Sequence, residues 1–212
     1  MNNWKTINLE DCIKLRRGHD LPITNSKGGN SPIYGSSGII GWHDVVKCKG
    51  PGLVLGRSGN SMGKAHYVDR DFWPHNTVMF VTDFLGNSPK FLYYVLCHID
   101  FKKYNSGSAV PSLNRNYIHN IGINLPPLPE QRAIASILSA LDDKIELNLQ
   151  MNRTLEEMAM TLYKHWFVDF GPFKSSVAKA KADENDEFVR SELGEIPKGW
   201  EVGELERLFI LQ

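Results

Sequence analysis

The chain is poor in the features that announce several protein classes. It holds only three cysteines, Cys12, Cys48 and Cys97, an odd number, far apart and outside any CxxC or Cys/His ligand spacing. A disulfide framework and a zinc site are therefore not expected, and reduced thiols suit a cytoplasmic protein. The opening Met1-Asn-Asn-Trp-Lys5 has no apolar run behind it, and no window approaches the roughly 18 apolar residues of a spanning helix. A soluble protein with no membrane partner is expected. An excess of one charge is missing too, with 24 Lys+Arg against 24 Asp+Glu. Taken whole, that balance argues against a nucleic-acid binder. The total is an average, however. Cut after Leu128, the first piece carries 14 Lys+Arg and 8 Asp+Glu and the second 10 and 16, a net of +6 against −6.

Catalytic motifs are also scarce. Ser58-Gly-Asn-Ser-Met-Gly-Lys-Ala65 falls short of a phosphate-binding loop, because Ser58 replaces the first glycine and Ala65 the magnesium-binding hydroxyl. A Gly-rich β-turn is the better reading. Gly50-Pro-Gly-Leu-Val-Leu-Gly56 misses the dinucleotide fingerprint by one residue and puts proline in the turn. No nucleophile elbow, His-rich metal motif or strand-ending acidic pair occurs. A catalyst is not expected.

What is present divides into two textures. Between Ile7 and Leu125 short apolar runs alternate with Gly, Asn, Ser and Asp, as in Ser31–Gly35, Gly38–Trp42, Gly52–Gly56, Ala65–Val68 and Thr77–Val81. Such runs predict the strands of a compact β domain. One helix interrupts them at Pro89–Leu96, where Phe91, Leu92, Val95 and Leu96 share a face after the cap-like Ser88. Beyond Leu125-Pro-Pro-Leu-Pro129-Glu130, a strong helix start, no Pro or Gly appears until Gly171-Pro172. The predicted fold is α+β: a β-rich domain over 1–128, a long coiled-coil helix over 129–170, a charged linker over 171–195, and over 196–212 the opening of a second copy of the chain's start. That last reading rests on Trp200, Leu205 and Glu206, which repeat Trp4, Leu9 and Glu10 at a constant offset.

The helix carries a 4,3,4,3 seam of Ile134, Leu138, Leu141, Ile145, Asn148, Asn152, Leu155, Ala159, Leu162 and Trp166. The seam is symmetric about position 150, so in an antiparallel homodimer Ile134 meets Trp166 of the second copy, and Asn148 meets Asn152. A core amide fixes register and orientation more than it adds stability. Packing in a helical bundle with two partly exposed Asn is the alternative.

The basic piece is rich in side chains able to meet DNA. Arg57, Ser58, Asn60, Lys64 and His66 lie on one segment, and Lys102, Lys103, Asn105, Ser112, Asn114, Arg115 and Asn116 on another. Arg suits guanine and Asn suits adenine in the major groove, while Lys and Ser hold phosphates. Solvated loops are the alternative for any one of them.

Ser106-Gly-Ser-Ala-Val-Pro-Ser-Leu-Asn-Arg-Asn-Tyr117, followed by Leu125-Pro-Pro-Leu-Pro-Glu-Gln131 and the long helix, resembles the specificity subunit of type I restriction-modification systems. Leu53–Gly63 and Phe72–Thr77 agree with it. The family's full-length member is a tandem of two target-recognition domains, each followed by a long helix, and the helices pair antiparallel as a spacer. The resemblance implies that this chain reads one half of a bipartite target in double-stranded DNA and docks modification subunits. By the same resemblance it is expected to carry no catalytic group and to bind no cofactor directly. S-adenosylmethionine belongs to the modification subunit, and cleavage to restriction subunits. A homodimer of such a half-length chain would meet an interrupted palindrome. The alternative function is a coiled-coil assembly factor that sequesters modification subunits without reading DNA.

Overall fold

The structure, a computed structural model, describes residues 4–21, 28–107, 109–172 and 188–203. It divides into two compact units, residues 1–141 and 142–212.

In the first unit, strand β1 (Lys5–Asn8) and helix α1 (Leu9–Cys12) precede β2 (Lys14–Arg17). Strands β3 (Ser31–Gly35), β4 (Gly38–His43), β5 (Gly52–Gly56), β6 (Ala65–Val68), β7 (Trp73–Pro74) and β8 (Val78–Asp83) follow, then α2 (Pro89–His98). A 3-10 turn (Phe101–Tyr104), α3 (Arg115–Ile118) and β9 (Gly122–Leu125) complete the domain before helix α4 (Leu128–Tyr163). Four strands form a sheet in the order β2-β8-β5-β6, antiparallel throughout, and three form another in the order β4-β3-β7.

Strand β5 explains the layering. All five of its residues are buried, and successive side chains leave a strand on opposite faces. Leu53 and Leu55 join the larger core with Met79, Val81, Phe91, Leu92 and Leu96, whereas Val54 joins a smaller core with Val68, Phe72, Val78 and Phe80. The sheet is therefore covered on both sides, and helix α2 lies on its larger-core side. Ser88 starts that helix by accepting a hydrogen bond from Phe91 N at 3.4 Å, with Pro89 in the first turn. Phe91, Leu92 and Leu96 are buried and Val95 partly so. The turn between β5 and β6 needs glycine: Gly63 has φ +80°, and a Cβ there would lie 2.5 Å from Phe101 Cβ. Cys12 is wholly buried, and burial, reinforced by Asp11, pushes its thiol up to about 11.

Strand β1 pairs antiparallel with β9, Lys5 opposite Leu125, so the start of the chain lies beside the strand that feeds α4. That helix has 36 residues and is about 54 Å long at 1.5 Å per residue. Its first turns belong to the domain, with Gln131 and Ala135 buried. Residues 141–169 are all exposed.

In the second unit the helix gives way to a π-helical turn, Lys164–Val168, where Asp169 N donates to Lys164 O at 2.8 Å. Trp166, the last position of the expected seam, lies within that turn. The expected linker, 171–195, also needs correction. Of its described part, Phe188–Ser191 (β10) pairs with Gly194–Pro197 (β11) in a hairpin. Rings bind this hairpin's surroundings to the helix end: Trp200 lies 5.9 Å from Phe167 and 5.5 Å from Phe170, and Phe188 lies 6.0 Å from Phe170. Leu205 and Glu206, two of the three repeated residues, lie outside the described residues. No helix among the described residues is long and apolar enough to cross a membrane.

Candidate nucleic-acid interface

Three segments distant in sequence meet on one side of the domain. Leu113 N donates to Arg57 O at 2.7 Å and Gly59 N to Pro111 O at 2.9 Å, which fastens the loop before α3 onto the end of β5. Arg57 N donates to Thr77 O, and Gly18 N to Val78 O. Strand β8 thus carries the Arg57 turn on one flank and β2 on the other. Arg115 Nη1 closes the ring by donating to Leu15 O at 3.3 Å.

The result is a cleft of about 520 Å³ lined by Arg16, Arg17, His19, Asp20, Arg57, Ser106, Ser112, Asn114 and Arg115, among others. Four guanidinium groups face one carboxylate, and that carboxylate is already engaged by Arg17 at 3.2 Å and by Asn76. Arg16, Arg57 and Arg115 make no ion pair among the described residues. Cations concentrated in a concave wall focus positive potential there, which attracts a polyanion. His19 is held below its ordinary value of 6.5, first by burial and then by Lys47 and Arg16, with Asp20 opposing. The neutral ring is thereby favoured, and a neutral imidazole can donate one hydrogen bond and accept another.

The expected contact residues separate into groups. Arg57, Ser112, Asn114 and Arg115 are at the cleft. Ser58 and Asn60 line a shallower hollow with Ser36, Ile40, His75 and Thr77. Asn105 is committed to its loop, accepting from Gly107 N at 3.0 Å and Ser112 N at 2.9 Å, and Asn114 Oδ1 caps α3 by accepting from Asn116 N at 3.0 Å. Asn116 is exposed on that helix, and Lys64 is exposed beside the Gly63 turn. Lys102 and Lys103 sit on the 3-10 turn, the latter 3.8 Å from Asp100. His66 points elsewhere, to Ser36 O at 3.3 Å and the Tyr34 ring at 6.1 Å. Other cations of the basic piece are also occupied: Lys90 lies 4.3 Å over the Tyr67 ring, and Arg70 binds Asp69 at 3.0 Å.

Arg16, Arg17, His19 and Ser106 were not among the expected contacts. The available signal was Leu15-Arg-Arg-Gly-His19, a basic run about forty residues ahead of Arg57. Only the strand order β2-β8-β5 brings the two together.

Comparison with known proteins places this arrangement. The family described as "Type I restriction modification DNA specificity domain" matches residues 1–157. The HindI specificity subunit of Haemophilus influenzae is 35% identical over 206 residues, covering 86% of this chain and 44% of that subunit. The MjaIX specificity subunit of Methanocaldococcus jannaschii is 39% identical over 126 residues, 57% of this chain and 27% of its own length. This chain therefore matches less than half of either relative. A type I S subunit from M. genitalium has the same fold, with a TM-score of 0.66 at 18% identity over 90% of this chain and 58% of that one. The HsdS subunit from Thermoanaerobacter tengcongensis aligns with a TM-score of 0.51 at 16% identity, over 68% and 38%. With its β domain, its long helix and the family's match across both, the chain belongs to the DNA specificity family of type I restriction-modification systems.

Proposed function

We propose that this chain is the DNA-reading component of a cytoplasmic type I restriction-modification complex. It takes one half of a bipartite target into the arginine-lined cleft, and that cleft is the observation that carries the reading. Arg57 and Arg115, on the turn and the α3 start, are the base readers. Arg16 and Arg17, on a strand, hold phosphates, as guanidinium groups commonly do.

Two copies pair antiparallel through the helix seam and present the same half-site in inverted orientation, giving an interrupted palindrome. Leu141, Ile145, Leu155 and Leu162 are 54%, 59%, 57% and 58% exposed, which supports a second helix on this face. Ile137, Leu147, Met151 and Met158 are exposed beside the seam, so the apolar surface is wider than one helix covers and leaves room for modification subunits. Those subunits supply S-adenosylmethionine and methyl transfer, restriction subunits supply cleavage, and this chain supplies neither.

Methylation mapping in a host expressing the chain with its modification subunit tests the reading. Modified sites forming an interrupted palindrome are expected, and an asymmetric split site would refute the symmetric pairing. On a background lacking native thiols, Asn148→Cys and Asn152→Cys chains mixed together are expected to cross-link, and a parallel pair or a monomer would not. Arg57→Ala is expected to relax base preference, whereas Arg16→Ala weakens binding across sequences and lowers its salt slope.

A further inference from the structure

A split target is read correctly only if its two halves lie a fixed distance apart, so the angle at which α4 leaves its domain matters as much as the cleft. At that junction sits one fully engaged amide. Gln131 is 2% exposed, in the first turn of α4. Its Nε2 donates to Asn87 Oδ1 at 2.9 Å and to Pro126 O at 2.9 Å, and its Oε1 accepts from Ser88 N at 3.0 Å. Asn87 in turn donates to Cys12 O and Phe84 O, each at 3.1 Å, and Ser88 caps α2. One side chain thereby ties α4 to the β8–α2 turn, to the end of α1 and to the exit of β9. Outside it, Trp4 Nε1 donates to Glu130 Oε1 at 3.0 Å, a second and exposed tie. One turn further on, Ala135 is buried, and beyond it the helix has few contacts with the domain.

An apolar joint would restrict the angle of the helix less than hydrogen bonds do, because the hydrophobic effect is non-directional. Directional bonds in a buried site admit a single arrangement, since any other leaves polar groups unpaired at about 1–3 kcal/mol each. The lever makes this decisive. From Gln131 to the seam centre at Gln150 the helix runs about 29 Å, so a slack of about 7° displaces the centre by about 3.5 Å, close to the rise of one base pair.

We propose that the buried Gln131 amide is a positioning residue that restricts the number of base pairs allowed between the two half-sites. The inference rests on the reading of two recognition domains held apart by paired helices. Gln131 touches no DNA and reads no base. It excludes targets of the wrong spacing by holding the helix to one exit angle.

The test uses the full chain with its modification subunit and a library in which the half-sites are constant and the spacer varies by single base pairs. Wild type is expected to prefer one spacer at least tenfold over its neighbours. Gln131→Met, of similar length but unable to make the bonds, is expected to lower that preference below threefold while base preference within each half-site stays unchanged. Unchanged spacer preference in Gln131→Met overturns the positioning role alone. A wild type indifferent to spacer overturns the split-site reading together with it. Should Gln131→Met fail to fold, Gln131→Glu keeps the acceptor for Ser88 N. It is expected to give an intermediate loosening, and an unchanged preference there overturns the proposal equally.

Discussion

The β domain and the long helix satisfy their apolar residues in opposite ways. Leu53, Leu92 and Leu113 are fully buried within the domain, each enclosed by residues from several elements. Leu141, Leu155 and Leu162 are of the same residue type, yet each is more than half exposed. Identical side chains thus do different work according to whether this chain supplies their surroundings. The domain excludes water from its leucines by itself, whereas the helix, among the described residues, leaves its own exposed. A charge introduced into the one is expected to be a folding defect and, on the proposed pairing, an assembly defect in the other.

The largest consequence is expected in the seam. Burying a leucine contributes about 1.5–3 kcal/mol, and a two-fold pair loses two of them per substitution. Leu155→Glu is therefore expected to weaken self-association by two to four orders of magnitude in sedimentation equilibrium, with the near-ultraviolet circular dichroism of the domain intact. Next in size is the domain core. Leu92→Ala, at a wholly enclosed position, should cost about 2–5 kcal/mol in denaturant unfolding while leaving the helix seam able to pair. Should either variant produce both effects, the two regions are not independent.

A smaller effect belongs to the cleft. Arg57→Ala is expected to cost about 1–3 kcal/mol of discrimination at one base pair, without change in oligomeric state. Arg17→Ala should cost less, because Arg17 is already paired with Asp20. Quantitative DNA binding at several salt concentrations separates the two.

The smallest is a pH effect confined to the domain. His66 is held below 6.5, chiefly by burial, with Lys64 adding and its bond to the Ser36 carbonyl opposing. In the unfolded chain it takes a proton near 6.5, so the unfolded state binds more protons as the pH drops below that value. The stability present above 6.5 is then lost as the pH falls towards the folded value. His19 acts in the same direction. Urea midpoints measured between pH 7.5 and 5 should fall, and fall less in His66→Gln.

Local patterns were enough to place most of the regular elements. The runs at Ser31, Gly38, Gly52, Ala65 and Thr77 are strands within two residues of their ends, because Gly and Asn turns punctuate them. Helix α2 shows its cap, its first-turn proline and its apolar face in the nine residues Ser88 to Leu96. Strands β1, β2 and β9 escaped notice for a common reason. Lys5-Thr-Ile-Asn8, Lys14-Leu-Arg-Arg17 and Gly122-Ile-Asn-Leu125 are short, half-polar edge segments whose strand character comes from their partners. The linker reading failed at Phe188–Pro197 because a polar hairpin held by backbone bonds and a few rings has the composition of a loop. Gln131 was visible only as part of a motif. Burial of an amide is the least expected fate for such a residue, and nothing local records it.

The sequence by itself determined the division of labour. Charge falls +6 on one side of Leu128 and −6 on the other, glycine and proline punctuate the first piece, and an unbroken heptad seam runs through the second. These are properties of neighbouring residues, and secondary structure responds to neighbours. Tertiary structure alone decided which cations share a cleft, which remain occupied by aromatic rings or carboxylates, and which amide bolts the helix to its domain. Those outcomes depend on strand order and on contacts across a hundred residues or more, such as Arg115 to Leu15. No local pattern carries that information, because the attraction between such groups arises only once the intervening chain has folded.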